Sequence, residues 1–89
     1  MKIEVHNRIA DEYDVALHED ARTWKYRVTL DDKTHTRLSG PNESKEILIE
    51  RSFEFLLDRE PPSSILSSFD LTVIGRYFPE YEKTIRKRH

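Results

Sequence analysis

The sequence predicts an α+β domain: an antiparallel sheet of three or four strands, with one long helix on one face and short helices after it. Three observations carry that expectation. Before residue 39, apolar side chains recur at every second position; after residue 42 they recur at helical spacing; and Gly40-Pro41 separates the two regimes.

The first strand is expected over 1–6, where Met1, Ile3 and Val5 alternate with Lys2, Glu4 and His6. The second, 12–18, alternates Tyr13, Val15 and Leu17 with Asp14, Ala16 and His18. The third, 23–31, sets Trp24, Tyr26, Val28 and Leu30 against Lys25, Arg27 and Thr29. Asp31-Asp32-Lys33 then reads as a tight connection to a fourth strand, 34–39, in which Thr34 and Thr36 alternate with His35 and Arg37. The polar joints Asn7 to Glu12 and Glu19 to Arg22 are short, which favours an antiparallel meander.

A helix is expected over 42–59, with Asn42 as its N-cap and Glu43 and Glu46 in the first turn, where the helix dipole favours acids. Leu48, Ile49, Ser52, Phe53, Phe55, Leu56 and Leu57 share one broad face, opposite a narrow strip of Glu50, Arg51, Glu54 and Asp58. Pro61-Pro62 stops it. Short helices follow over 63–69, 70–77 and 79–87, capped by Ser63 or Ser64, by Asp70, and opened by Pro79. Because aromatics at helical spacing are usually buried, Tyr77, Phe78 and Tyr81 are expected to pack on the long helix and not to form a binding groove.

At 89 residues, 1–89 reads as a single small domain near the lower size limit for independent folding. A net charge of −2 gives no bulk attraction to nucleic acid or to an anionic membrane. The absence of Cys excludes disulfides, a thiol nucleophile and Cys-ligated zinc, and fits a cytoplasmic location. The acidic start MKIEVHNRIADEYD has no signal-peptide core, and no apolar run approaches the ~20 residues that span a bilayer.

Motifs with catalytic chemistry are not found. His6, His18 and His35 with Asp14 match no metal-ligand spacing, and histidines on the polar face of a strand are ordinarily solvated, so no metal is expected. The serines at 63, 64, 67 and 68 lie in no GxSxG or SxxK pattern and suit turns and caps. The carboxylates Glu50, Glu54 and Asp58 line one helix edge and read as a solvated strip. With only Gly40 and Gly75 in the chain, no phosphate-cradling loop exists, and no cofactor is expected.

The informative surface is the outer face of the sheet, which gathers Lys2, His6, His18, Lys25, Arg27, His35 and Arg37 against Glu4 and Asp14. A three-residue turn at 31–33 sets Arg27 opposite Arg37, a destabilising pair that asks for compensation by Asp14, a bound anion or an acidic partner. Lys25, Arg27, His35 and Arg37 are therefore the candidate partner- or anion-binding residues.

From Phe53 to Tyr81, FEFLLDREPPSSILSSFDLTVIGRYFPEY resembles a block of small uncharacterised prokaryotic proteins, with the pattern FLL-x-REP-x-x-SIL-x-x-FDL-x-VI-x-RYFPEY. That resemblance covers about a third of the chain and implies no activity. The order strand-strand-strand-helix is also similar in outline to antitoxins of the HicB kind, although no strand is expected here after the helix, where those antitoxins carry one. The expected function is a non-enzymatic interaction or regulatory module with an acidic protein partner, antitoxin-like in kind. The alternatives are a nucleic-acid binder using the basic sheet face or the tail Arg86-Lys87-Arg88 and, last, an enzyme, for which no nucleophile, base and oxyanion set can be assembled.

Overall fold

Three eight-residue strands form the meander in the computed structural model, which describes residues 1–86: β1 (Lys2–Ile9), β2 (Glu12–Glu19) and β3 (Arg22–Thr29). The alternation expected from the sequence holds, with Val5, Val15 and Tyr26 in one cross-strand row and Ile3, Leu17 and Trp24 in the next. Val15, Leu17 and Val28 are fully buried on the inner face. Both hairpins close through two-residue turns, each with a non-glycine residue in the left-handed region: Ala10 at φ 51° and Asp20 at φ 55°. The Asn7 amide braces the first turn by donating to the carbonyls of Ala10 and Glu12, at 3.0 and 3.1 Å. An irregularity in register between Asn7 and Ile9 turns Ile9 toward Glu12 on the outer face.

The expected fourth strand, 34–39, is instead a helix, α1 (Asp32–Ser39). The Asp31 carboxylate accepts a hydrogen bond from the Thr34 amide at 2.8 Å, so Asp31 caps a helix and does not turn a hairpin. Gly40, at φ 69°, ends it and donates its N–H to the Thr36 carbonyl. Residues 34–39 contain a single large apolar side chain, Leu38, and the buried or half-buried positions Thr34, His35, Leu38 and Ser39 follow helical spacing. Alternating threonines outweigh neither the cap nor that spacing.

Gly40–Asn42 forms a short 3₁₀ turn, and the long helix α2 (Lys45–Leu57) starts later than expected. Ser44, not Asn42, caps it, its hydroxyl accepting from the Ile47 amide at 3.1 Å. The broad apolar face is as expected: Leu48, Ile49, Ser52, Phe53, Phe55 and Leu56 are buried. Glu50, Glu54 and Asp58 are exposed. Arg51 departs from that strip. Its guanidinium grips both oxygens of Glu43 at 2.7 Å and donates to the Ile85 carbonyl at 3.0 Å, leaving the two side chains only 10% and 15% exposed.

The C-terminal region is less helical than its sequence suggests. The expected helix 63–69 is a 3₁₀ turn (Pro62–Ser64) followed by a strand, β4 (Ser68–Asp70). β4 pairs in parallel with the end of β3, so the sheet is mixed, in the order β1-β2-β3-β4, and a strand does follow the helix. The α1–α2 pair provides the crossover that parallel pairing requires. Asp70 accepts from Thr29 Oγ1 at 2.6 Å and from the Thr72 amide, joining β4 to β3 and to the 3₁₀ turn Leu71–Val73. The expected helix 70–77 reduces to that turn and α3 (Ile74–Tyr77), and the last helix is α4 (Tyr81–Arg86). Lys87 and Arg88 of the basic tail lie outside the described residues.

The core sits between the inner sheet face, α2 and the C-terminal elements, forming one buried cluster from Tyr13 to Ile85. The Phe53 ring lies 5.3 Å from Tyr26 and 6.0 Å from Phe69, so one side chain of α2 bridges β3 and β4. Tyr81 is 1% exposed, and its hydroxyl meets Ser52 Oγ at 2.6 Å. Since Ser52 donates its proton to the Leu48 carbonyl at 2.8 Å, Tyr81 is the donor of that pair. The fold is α+β, and no helix among the described residues is long and apolar enough to cross a membrane.

Candidate functional site

The outer face of the sheet is built from the even-numbered residues of β1 and β2 and the odd-numbered residues of β3. Two rows define its chemistry: His6, Asp14 and Arg27, then Glu4, Ala16 and Lys25. Ala16 is the small side chain among long ones, and its row leaves a shallow depression of about 530 Å³ bounded by His6, Asp14, Lys25, Arg27 and Ser67. Arg27 lies beside Asp14, with Nε 3.2 Å from Oδ1, and 4.0 Å from Glu12. Lys25 is exposed and enters no ion pair among the described residues. At the far end, the His18 imidazole lies between Glu4 Oε1 at 2.6 Å and Thr23 Oγ1 at 3.2 Å. The hydrogen bond to His18 holds the Glu4 carboxyl below the usual carboxylate range.

Of the four candidate binding residues, the fold keeps Lys25 and Arg27 together and separates them from the other two. His35 and Arg37 lie on α1, not on the sheet. The His35 imidazole Nε2 is 2.6 Å from the Glu43 carbonyl, and Arg37 pairs with Glu82 of α4. Arg27 therefore has no arginine opposite it; its cross-strand partner is Asp14. The repulsion inferred from sequence does not exist, because the fourth strand that created it is a helix. The His6, His18, His35 and Asp14 grouping dissolves for the same reason.

A second concavity was not foreseen. Leu56, Ile65, Leu66, Phe69, Val73, Ile74, Tyr77 and Phe78 enclose an apolar groove of about 300 Å³, with Glu60 and Ser64 at its edge. Phe78 and Tyr81 do pack on α2, meeting the Phe55 ring at 5.9 and 5.2 Å, as expected of this aromatic block. Tyr77, however, is 67% exposed and Leu66 47% exposed, and both line the groove. No sequence signal marks Leu66; the backbone at Ile65 is extended instead of helical, and Leu66 is exposed while Ile65 is buried. Ser67, one residue on, borders the sheet-face depression instead.

Comparison with family models, curated proteins and solved structures finds no significant match, so the site must be read from its own chemistry.

Proposed function

We propose that this chain is a non-enzymatic, cytoplasmic interaction module, regulatory and antitoxin-like in kind, that receives an acidic segment of a protein partner on the outer sheet face. The observation that carries this reading is the pairing of Lys25, which has no ion pair among the described residues, with Arg27 beside the depression over Ala16. Two cations two residues apart on one strand face present adjacent donors to a carboxylate, and a guanidinium grips such a group bidentately. Arg27 meets the partner by exchanging part of its contact with Asp14 and Glu12, an exposed exchange of small energetic consequence. The nucleic-acid alternative asks for a continuous basic stripe, whereas Glu4, Glu12 and Asp14 are interleaved with the cations here.

The test is capture of partners from the source cell by the wild-type chain and by a Lys25→Glu, Arg27→Glu double variant, followed by titration of the isolated partner. Binding should be lost in the double variant while it still melts cooperatively, with a stability loss of about 1 kcal/mol because a carboxylate at position 27 faces Asp14 across the strands. A partner that binds both chains equally would leave this face a solvated surface. Binding to generic duplex DNA with a steep salt dependence would favour the nucleic-acid alternative.

A further inference from the structure

The groove between the end of α2, the 64–69 segment and α3 carries a charge feature that its apolar lining does not require. Glu60 is half-buried at its edge, and its carboxylate has neither a cation nor a hydrogen-bond donor among the described residues. The adjacent Arg59 is committed elsewhere: it pairs with Glu80 at 3.1 Å, donates to the Phe55 carbonyl at 3.1 Å and lies 3.5 Å over the Phe55 ring. Among the described residues no Lys, Arg or His lines the groove, and the one formal charge there is negative. That charge is felt nearby, since the Tyr26 hydroxyl is pushed up first by burial and then by Glu60. A carboxylate without a cation at the edge of apolar surface favours a ligand that supplies both a cation and apolar contact.

We propose that this groove receives a segment of a partner protein in which one or two apolar side chains stand next to a Lys or Arg. The apolar side chains fill the space between Leu66 and Tyr77, and the cation meets Glu60 at the edge, within reach of the Ser64 hydroxyl. The volume, at the small end of the roughly 300–1,000 Å³ typical of ligand pockets, suits a few side chains and not a whole helix. Leu66 and Tyr77, two large residues exposed on one concavity, gain burial only when such a segment is bound. This surface is chemically opposite to the sheet face, and the inference does not rest on the acidic-partner reading.

The probe is a phage-displayed library of random peptides selected against the full chain. Recovered peptides should combine apolar residues with Lys or Arg, and should shift the backbone amide resonances of residues 64–78. Glu60→Gln should weaken the best peptide about tenfold, between the effects of an exposed and a fully buried charge pair. Leu66→Ser should abolish binding, and a thermal melt checks that each variant is folded. The Lys25→Glu, Arg27→Glu variant should bind the peptide as the wild type does, which separates the two surfaces. Acidic peptides, peptides indifferent to Glu60→Gln, or the absence of any enriched peptide would overturn the proposal. Self-association of the chain that disappears with Leu66→Ser would overturn it in favour of a second copy as the occupant.

Discussion

In the meander, each strand pairs with its neighbour in sequence through a two-residue turn, and period-two alternation alone puts Val15, Leu17 and Val28 inside. Among the described residues beyond 61, no regular element exceeds the six residues of α4, and several are tied down by side chains from elsewhere. Thr29 holds Asp70, Ser52 holds Tyr81, Arg51 holds the Ile85 carbonyl and Arg59 holds Glu80. One half is organised by local periodicity, the other by long-range hydrogen bonds to β3 and α2. The difference explains why the meander matches its sequence pattern while the C-terminal half departs from it. Short segments lack the length to stabilise themselves and take whatever conformation their anchors allow.

The harshest test of this contrast is truncation after Glu60. It removes Ile65, Leu71, Ile74, Tyr81 and Ile85 from the core and uncovers the edge of β3. Fragment 1–60 should show no cooperative thermal transition and should bind hydrophobic dye. Were it to melt cooperatively, the C-terminal block would be an appendage and the meander–α2 unit self-sufficient.

Next in size is Arg51→Ala, which takes the guanidinium from Glu43 and from the Ile85 carbonyl at a site where both side chains are largely buried. A loss of roughly 3–5 kcal/mol in urea unfolding is expected, as for breaking a buried pair. Arg51→Lys should recover little of it, because an ammonium cannot span three acceptors in that fork. A loss below about 1 kcal/mol would mean that packing and the Tyr81 and Glu82 contacts hold α4 without the Arg51 fork.

A third test uses alkali. Burial pushes the Tyr81 hydroxyl up to about 12, and burial also raises Tyr13 and Tyr26. The unfolded chain releases these protons near pH 10, so stability should be steady up to about pH 10 and fall between pH 10 and 12. The share of Tyr81 is on the order of 2–3 kcal/mol. Tyr81→Phe should flatten that decline, at a cost near neutral pH of about 1 kcal/mol for the lost hydrogen bond to Ser52. An undiminished alkaline decline in that variant would move the effect away from the C-terminal anchor.

The smallest effect probes the meander itself. Ala10 occupies the left-handed region at φ 51°, where an L-residue with a Cβ is strained. Ala10→Gly should therefore be stabilising or neutral, within about 1 kcal/mol, against the usual loss on adding glycine. A clear loss of stability would show that the turn depends on more than its backbone angles and the Asn7 brace.

Lys25 and Arg27 were legible as surface neighbours because alternation within one strand fixes which side chains share a face. His35 and Arg37 were not. Thr34 to Leu38 contains one large apolar residue, too few to distinguish period two from period 3.6, and the decisive signals lay outside it, in the Asp31 cap and the Gly40 terminator. Glu60 and Leu66 gave no pattern at all as groove residues. The two positions lie on either side of the Pro62–Ser64 turn and come together with Tyr77 only after the chain has folded back.

By itself the sequence determined the three strands of the meander and the inward face of α2, because each follows from side-chain periodicity acting within a few residues, whereas α2 ends at Leu57, before Pro61-Pro62. Only the tertiary structure decided that Ser68–Asp70 would be a strand, that Arg51 would turn inward, and that Tyr81 would be buried while Tyr77 stayed out. A three-residue strand has no periodicity to read; it exists because Arg27 to Thr29 offered an unpaired edge with the right spacing. Arg51 and Tyr81 are buried because Glu43, Ile85 and Ser52, at least eight residues away along the chain, supply partners that satisfy their polar atoms.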